Sequence, residues 1–444
     1  MHWLRKASAI LAAVTTASVL AACGGGAASG PGSLTVFLAS QPNFPNEWGT
    51  WTKDLTAAFK AKTGADLVIE TYSSSAEETT KIQSSIVSGT GPDIYNLGTT
   101  FTPVAYGTDG FLELSDADWA KIGGRERYIP ETLGMSGPDT SKQIGVPVAM
   151  RPFSIVYNTE MFAKAGITAP PTTWDEYVAV AKKLTDPAAG VYGSAMTYAD
   201  GFDPWKFVWA MTAQQGGAFV SPDLKTAQLN SPEVEKAVTG YFDLLTTHKI
   251  ADPASVGWKS GDALAAFGQG KAAMLPMGTA QAIPALDKTA VKGKYAFAPL
   301  PTVAPGQTQR PANGKPAASI VSGDNIAIAS YTKNKDLALA FVDLFTSTEQ
   351  QLANFKAFGN LPTNVEAMKQ LSAQNKLLAP FAEIEAQSTP TTFTGGWAEI
   401  QNGVQNVVVQ SLPSLAAGRY DPAAVRDLLN KANGTAQSAL ARAR

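Results

Sequence analysis

The chain has 444 residues, of which 45% are hydrophobic and 16% charged, with a formal net charge of −2 at pH 7. This composition predicts a globular protein with two or three domain-sized units and lacks the basic excess that nucleic-acid binding requires. One cysteine and two histidines leave little inventory for zinc sites, Ser-His-Asp triads or Cys-His dyads, so we expect no metal, no cofactor and no nucleic-acid partner.

The first 22 residues have the layout of a secretory signal peptide, with a basic start and a mostly apolar run. Residues 20–23 (Leu-Ala-Ala-Cys) resemble the bacterial lipobox, in which the thiol receives a diacylglyceryl group and the leader is removed. We therefore expect a lipid anchor at Cys23 and an extracytoplasmic protein tethered to the cell membrane. An ordinary cleaved signal with a chance cysteine is the alternative. Residues 23–33, rich in Gly, Ala and Ser, predict a flexible tether.

Strand and helix patterns alternate after the tether. Strands are predicted at 34–38, 67–71 and 94–97, and helices at 48–62 and 76–88, with Gly64 at the end of the first helix. This alternation predicts a parallel α/β sheet with right-handed crossovers.

The alternation resumes further along the chain. Strands are predicted at 154–157, 295–297 and 326–328, and a Pro/Gly-rich loop at 302–318. Three helix starts carry capping signals: Thr173 with Glu176, Ser231 with Pro232, and Thr346 with Glu349.

Several motifs occur in unbroken order along about residues 34–363. The most specific are YNTEMFAKAG at 157–166 and PPTTWDE at 170–176, and further runs lie at 59–64, 88–94, 110–114, 145–147 and 267–274. Together they resemble the extracytoplasmic solute-binding proteins of ABC importers that bind sugars and oligosaccharides, the group of maltose-binding protein.

The resemblance implies an α/β, two-lobed periplasmic-binding-protein fold of type II, with discontinuous lobes that close about a hinge. Family positions place the crossovers near residues 149–153, 278 and 331. Lobe 1 would then comprise residues 34–149 and 279–330, and lobe 2 residues 150–278 and 331–444.

The function implied by the resemblance is binding of a sugar outside the cytoplasm and its delivery, as a monomer, to an ABC permease. The same fold binding another small polar solute, such as a polyamine, is the alternative. A surface-anchored glycosidase is disfavoured, because the sequence offers no local pair of acids with a supporting motif.

A sugar needs hydrogen-bonding groups for its hydroxyls and flat apolar surface for its C–H faces. The resemblance places candidate contacts at strand ends and crossovers: Gln41, Asn43, Asn96, Arg151, Asp203, Trp205, Gly278, Thr279, Asp324, Asn325 and Trp397. Other roles stay open, namely loop solvation for Gln41 and Asn43, an inter-lobe ion pair for Arg151, and core burial for Trp205.

Two aromatic positions of the family are vacant in this chain. Ala280 and Asp324 stand where relatives often carry ring platforms. We therefore expect a small or polar ligand, namely a mono- or disaccharide, an amino sugar, or a sugar bearing phosphate or glycerol.

Overall fold

The computed structural model describes residues 32–41, 44–72, 75–201 and 203–443. The strands are β1 Ser33–Ala39, β2 Asp66–Tyr72, β3 Ile94–Gly98, β4 Gly145–Met150, β5 Ser154–Asn158, β6 Tyr192–Ser194, β7 Ala272–Gly278, β8 Tyr295–Pro299, β9 Ser319–Ile320, β10 Gly323–Ile328 and β11 Ser388–Thr389. The α-helices are α1 Pro45–Thr63, α2 Ser75–Ser88, α3 Thr102–Tyr106, α4 Asp116–Lys121, α5 Thr159–Lys164, α6 Trp174–Lys183, α7 Asp203–Gln214, α8 Pro232–Thr246, α9 Ser260–Gly268, α10 Ala282–Leu286, α11 Lys335–Phe345, α12 Thr348–Phe358, α13 Val365–Gln374, α14 Phe381–Ala386, α15 Trp397–Ala416 and α16 Pro422–Arg442. Short 3-10 turns lie at Arg125–Arg127, Pro130–Met135, Pro187–Ala189, Pro253–Gly257 and Lys376–Leu378.

The first lobe is built on a mixed sheet with the strand order β2-β1-β3-β10-β4. β1 pairs in parallel with β2 and β3, as the strand–helix alternation predicts, whereas β10 runs antiparallel to both β3 and β4. Successive side chains of β1 enter different cores: Leu34 and Val36 pack with α1, α11 and α12, and Phe37 packs on the opposite face with α2 and α3. Both faces of this sheet are therefore covered.

The second lobe is built on a separate sheet with the order β6-β7-β5-β8. β5 lies inside it and is apolar on both faces. Ile155 packs with α7, α8, α15 and α16, whereas Val156 packs with α9, α13 and α14. The fold class expected from the sequence, two α/β lobes each assembled from separate segments, is confirmed.

Two expected lobe boundaries are wrong. Tyr295–Pro299 was expected in the first lobe, but it pairs along its whole length with β5 of the second sheet. The second crossover therefore lies between β9 and β10, about 40 residues after the expected position at Gly278. Helices α11 and α12, expected in the second lobe, pack against α1 in the first core. The third crossover therefore follows α12 instead of Tyr331.

The first crossover lies where it was expected. β4 ends at Met150 and β5 begins at Ser154, so residues 151–153 pass from one sheet to the other. Met150 also forms an antiparallel bridge with Leu361, which brings the first and third crossovers side by side. The parallel pair β9–β11 holds two further segments next to each other between the sheets.

Local signals set most helix ends as the sequence predicts. Gly64 ends α1 in the left-handed conformation, with φ of 74°. The reciprocal capping box of Thr173 and Glu176 opens α6, and the Ser231 side chain caps α8. The box expected at Thr346 is wrong, because Thr346 ends α11 and the Ser347 hydroxyl accepts the capping hydrogen bond of α12. Within the described ranges, none of the helices combines the length and apolar character that crossing a membrane requires.

Candidate functional site

A cleft of about 520 Å³ lies between the two lobes, in the size range of small-molecule sites. It opens beyond the carboxyl ends of β2 and β3, where open α/β sheets place their ligands. The first lobe, the crossovers and the second lobe all contribute lining side chains: Tyr72, Glu78, Thr99, Phe101, Arg151, Phe153, Asp200, Asp203, Trp205, Lys206, Ser260, Met277, Thr279, Gln281, Ile320, Ser322, Asp324, Gln401 and Asn402.

Arg151 and Asp324 form a bidentate ion pair in the wall of this cleft. Arg151 Nη1 donates to Asp324 Oδ2 at 2.7 Å, and Nη2 donates to Oδ1 at 2.5 Å. Nη1 also donates to Asn360 Oδ1 at 3.2 Å. Burial lowers the pKa of Arg151, but Asp324 more than offsets this effect, so the net shift is upward and the guanidinium stays charged. Arg151 thus forms an ion pair, but the pair joins the first crossover to β10 of the first lobe and does not link one lobe to the other.

Glu78, in the first turns of α2, lies on the same side of the cleft. Its residue is only 6% exposed, and its Oε1 has no hydrogen-bond partner among the described residues. Burial, followed by repulsion from Asp324, raises the pKa of Glu78 to about 8. Burial also raises the pKa of the neighbouring Tyr72 hydroxyl, which donates to Asn96 Oδ1 at 3.0 Å.

A second charged group lies in the second lobe at the start of α7. Asp203 is buried and Lys206 is partly buried, with 3.6 Å between Asp203 Oδ1 and Lys206 Nζ. Lys206 Nζ also lies 4.5 Å from the centre of the Phe153 ring, a cation–π contact. Burial raises the pKa of Asp203 to about 6 and lowers that of Lys206. Asp200 accepts backbone hydrogen bonds from Asp203 and Ser260.

The two lobes touch each other beside the cleft. α3 of the first lobe packs against α15 of the second. The rings of Tyr106 and Phe393 meet edge to face with centres 5.8 Å apart. The cleft is therefore bounded by contacts from both lobes.

The structure brings five of the predicted contact residues together in the cleft lining: Arg151, Asp203, Trp205, Thr279 and Asp324. Trp205 is only 2% exposed, so most of its ring lies in the core. Gly278 precedes Thr279, and its carbonyl accepts a hydrogen bond from the Ser154 hydroxyl. A Cβ at Gly278 would lie 2.3 Å from Val156 Cγ2, so this glycine serves sheet packing.

Four other candidates lie outside the cleft lining. Trp397 is fully buried against Trp205 and Phe219, so the expected stacking on a ligand is wrong. Asn325 is also fully buried, and its amide donates to the Thr102 hydroxyl and to a backbone carbonyl.

Asn96 is buried too, with its amide donating to the Asn325 carbonyl. Gln41 follows β1, half-buried, and does not reach the cleft. Burial and its hydrogen bond to the Asn325 carbonyl give Asn96 a packing role. Asn43 and Cys23 lie outside the described residues.

Several lining residues were not predicted from the sequence. Tyr72 could have been found, because it ends β2, which pairs in parallel with β1, and strand ends were the positions used for the other candidates. Glu78, Lys206, Gln281 and the pair Gln401 and Asn402 carry no such local signal, because long-range packing brings their helices and loops to the cleft. Across the described ranges, no three or more His, Cys, Asp or Glu side chains are grouped so that they could hold a metal ion.

Comparison with known proteins adds related sequences and structures. The chain is 25% identical over 415 residues to the diacetylchitobiose binding protein DasA of Streptomyces coelicolor, covering 88% of this chain and 90% of the relative. A solute-binding protein of Thermotoga lettingae solved with α-D-tagatose superposes with a TM-score of 0.75 at 20% identity, over 92% of this chain and 99% of that one. The maltose-bound MalE3 of T. maritima also gives a TM-score of 0.75 at 20% identity, over 90% of this chain and 99% of that one.

These two structures establish the likeness of fold. The family profile described as bacterial extracellular solute-binding protein matches residues 43–352. This range includes most of the first lobe, the first crossover, and strands β9 and β10 beside the cleft. The chain therefore belongs to the bacterial extracellular solute-binding proteins.

Proposed function

We propose that this chain binds a sugar in the cleft between its two lobes, outside the cytoplasm, and delivers it to an ABC permease. The observation that carries the proposal is a cleft that combines many hydrogen-bonding side chains with ring surfaces. Hydroxyls and amides are supplied by Thr99, Ser260, Thr279, Gln281, Ser322, Gln401 and Asn402, and rings by Phe101, Phe153 and Trp205. Sugar hydroxyls pair with such groups, and sugar C–H faces pack on such rings.

Sequence similarity to a carbohydrate-binding relative supports a carbohydrate ligand. The Streptomyces coelicolor relative is a diacetylchitobiose binding protein, and its likeness extends over 88% of this chain. The family role, capture of a solute outside the cell, fits a two-lobed fold whose cleft is lined by residues from both lobes.

Within the cleft, we propose that Thr279, Asp203 and the edge of Trp205 contact the sugar. Arg151 contributes through the remaining edge of its guanidinium, because both terminal nitrogens already donate to Asp324. Asp324 stands where relatives often carry a ring platform, and Ala280, at the second such position, is buried. A small, polar sugar therefore suits the cleft better than a long linear glucan, which needs successive ring platforms.

A thermal-shift panel of mono-, di- and oligosaccharides on the mature protein tests the proposal. A ligand that binds the folded state stabilises it by RT ln(1 + [L]/Kd), about 2.7 kcal/mol at a hundredfold excess over Kd. We expect a clear rise in Tm with a mono- or disaccharide and little with long maltodextrins. A flat response across the panel would contradict sugar binding, and release of free sugar from a bound disaccharide would favour the glycosidase alternative.

A further inference from the structure

The charges of the cleft form two groups, one on each lobe. The first comprises Glu78, Asp324 and Arg151, and the second comprises Asp200, Asp203 and Lys206. Each group has two carboxylates and one cation, so each is formally negative by one charge. Neither group carries an excess of positive charge that would favour a sugar bearing phosphate.

Within the first group, the one cation, Arg151, is already paired with Asp324. Both oxygens of Asp324 accept hydrogen bonds from Arg151, and this pairing neutralises the two charges locally. Glu78 faces Asp324 and the Tyr72 hydroxyl, and neither of these supplies a positive charge. Glu78 thus has no cationic partner among the described residues. It lies in the wall of the cleft and is only 6% exposed.

A buried carboxylate without a cation is energetically costly, and the usual outcome is that it takes up a proton. Burial, followed by repulsion from Asp324, accordingly raises the pKa of Glu78. Its Oε1, which accepts no hydrogen bond from the described residues, leaves an acceptor for a ligand. A ligand ammonium would replace the proton and form a charge-assisted hydrogen bond, which is stronger than a neutral one.

We propose that Glu78 binds a protonated primary amine of the ligand, so that the bound solute is an amino sugar with a free amine. The sugar part of this inference rests on the proposed function, whereas the amine part rests on Glu78 and the charges around it. An N-acetylated sugar lacks the positive charge, and a neutral sugar offers only a hydroxyl at that position.

Titration calorimetry at pH 7 with matched ligands tests the inference. The ligands are glucosamine, N-acetylglucosamine and glucose, each as the monomer and as the β-1,4-linked disaccharide, together with spermidine. We expect the free-amine sugars to bind the wild-type protein at least about tenfold more tightly than their acetylated and hydroxyl counterparts.

Glu78→Gln keeps the shape of the side chain and removes its capacity for negative charge. We expect this variant to lose about 10- to 100-fold in affinity for the amine, so that its preference for free-amine over neutral sugars falls by the same factor. Glu77→Gln is the matched control, because it removes the same charge from the exposed neighbouring residue of α2. Its amine preference should equal that of the wild type.

Equal or tighter binding of the acetylated or hydroxyl sugars would overturn the inference while leaving sugar binding intact. An undiminished amine preference in Glu78→Gln would also overturn it. Spermidine binding that depends on Glu78, with no sugar bound, would support the amine site and contradict the sugar function. Failure of every ligand in the panel would count against both.

Discussion

Arg151 and Asp324 are held together by two hydrogen bonds, of 2.7 and 2.5 Å, although they lie 173 residues apart in the chain. Arg151 is the first residue of the crossover after β4, and Asp324 is the second residue of β10. Their side chains are 23% and 17% exposed. The pair therefore fixes the first crossover to the start of β10, an inner strand of the first sheet, in the wall of the cleft.

Removing Arg151 should destabilise the protein more than removing Asp324. Arg151→Ala leaves Asp324 unpaired and facing Glu78, so we expect a loss of about 3 kcal/mol in the free energy of unfolding. Asp324→Ala also relieves repulsion with Glu78, and about 2 kcal/mol is expected. Urea denaturation of both single variants and the double variant measures the coupling. If the loss in the double variant equals the sum of the two single losses within about 0.5 kcal/mol, the two residues do not stabilise the protein as a coupled pair.

Trp397 should contribute to stability and not to ligand affinity. It is fully buried, with its ring stacked on Phe219 and edge-on to Trp205. We expect Trp397→Ala to cost about 3–5 kcal/mol in the free energy of unfolding. Trp397→Phe should cost about 1–2 kcal/mol, since the Trp397 Nε1 has no acceptor among the described residues and the smaller ring retains most of the packing.

Ligand titration separates this role from a direct contact. Trp397→Phe should bind the sugar within about twofold of the wild type, whereas Trp205→Phe, which changes the cleft lining, should weaken binding. A large loss of affinity in Trp397→Phe at full stability would restore the stacking role that the structure rejects.

Glu385 should make stability fall as pH rises. Burial, followed by repulsion from Glu131, raises its pKa from 4.5 to about 7. The folded state therefore favours the protonated form, so its stabilising contribution is complete below about pH 4.5 and is lost as pH rises through about 7. Glu385→Gln removes this titration. At pH 8.5 the free energy of unfolding of the variant should therefore exceed that of the wild type by on the order of 2 kcal/mol.

Urea midpoints at pH 4.5 and 8.5 measure this effect. Glu383→Gln, an exposed change on the same helix, is the control and should show the wild-type dependence. Glu78 has the same sign of shift and is present in all three proteins, so the difference between variants isolates Glu385. A gap between Glu385→Gln and the wild type that does not change with pH would contradict the assignment.

Local sequence determined much of the fold. Gly64 and the Thr173–Glu176 box predicted helix ends because a left-handed residue or a reciprocal cap is a property of a few neighbouring residues. The sheet that Tyr295–Pro299 joins could not be predicted in this way, because strand pairing is decided by contacts far apart in the chain. The lobe boundaries were therefore the part of the fold predicted least well.

The site was predicted only in part, for a similar reason. Trp205 and Trp397 are the same residue type next to glycine- or aspartate-containing loops, and only their packing shows that one reaches the cleft and the other does not. Glu78 was missed because an acid near the start of a helix is common on protein surfaces. Its importance lies in its burial beside Asp324, which no local pattern signals.

The lipid anchor at Cys23 is a proposal that expression of the full chain tests. Two acyl chains bury enough methylene groups for stable membrane binding, at about 0.8 kcal/mol per group. We expect the wild-type chain in the membrane fraction and the Cys23→Ser variant either released or retained with its leader uncut. Wild-type protein found wholly in the medium would instead favour an ordinary cleaved signal.

Titration calorimetry with a blocked cleft tests most directly whether a sugar binds in the cleft between the lobes. Gly201 lines the cleft, and a Cβ built on it meets no atom within 4 Å, so Gly201→Trp should fill the cleft without disturbing the fold. Gly49→Trp on α1 of the first lobe meets no atom within 4 Å either and serves as the control.

With the sugar that gives the largest thermal shift, we expect one binding site in the wild type and in Gly49→Trp, and at least about a tenfold loss of affinity in Gly201→Trp. Unchanged affinity in Gly201→Trp, or no sugar bound by the wild type, would contradict sugar binding in the cleft.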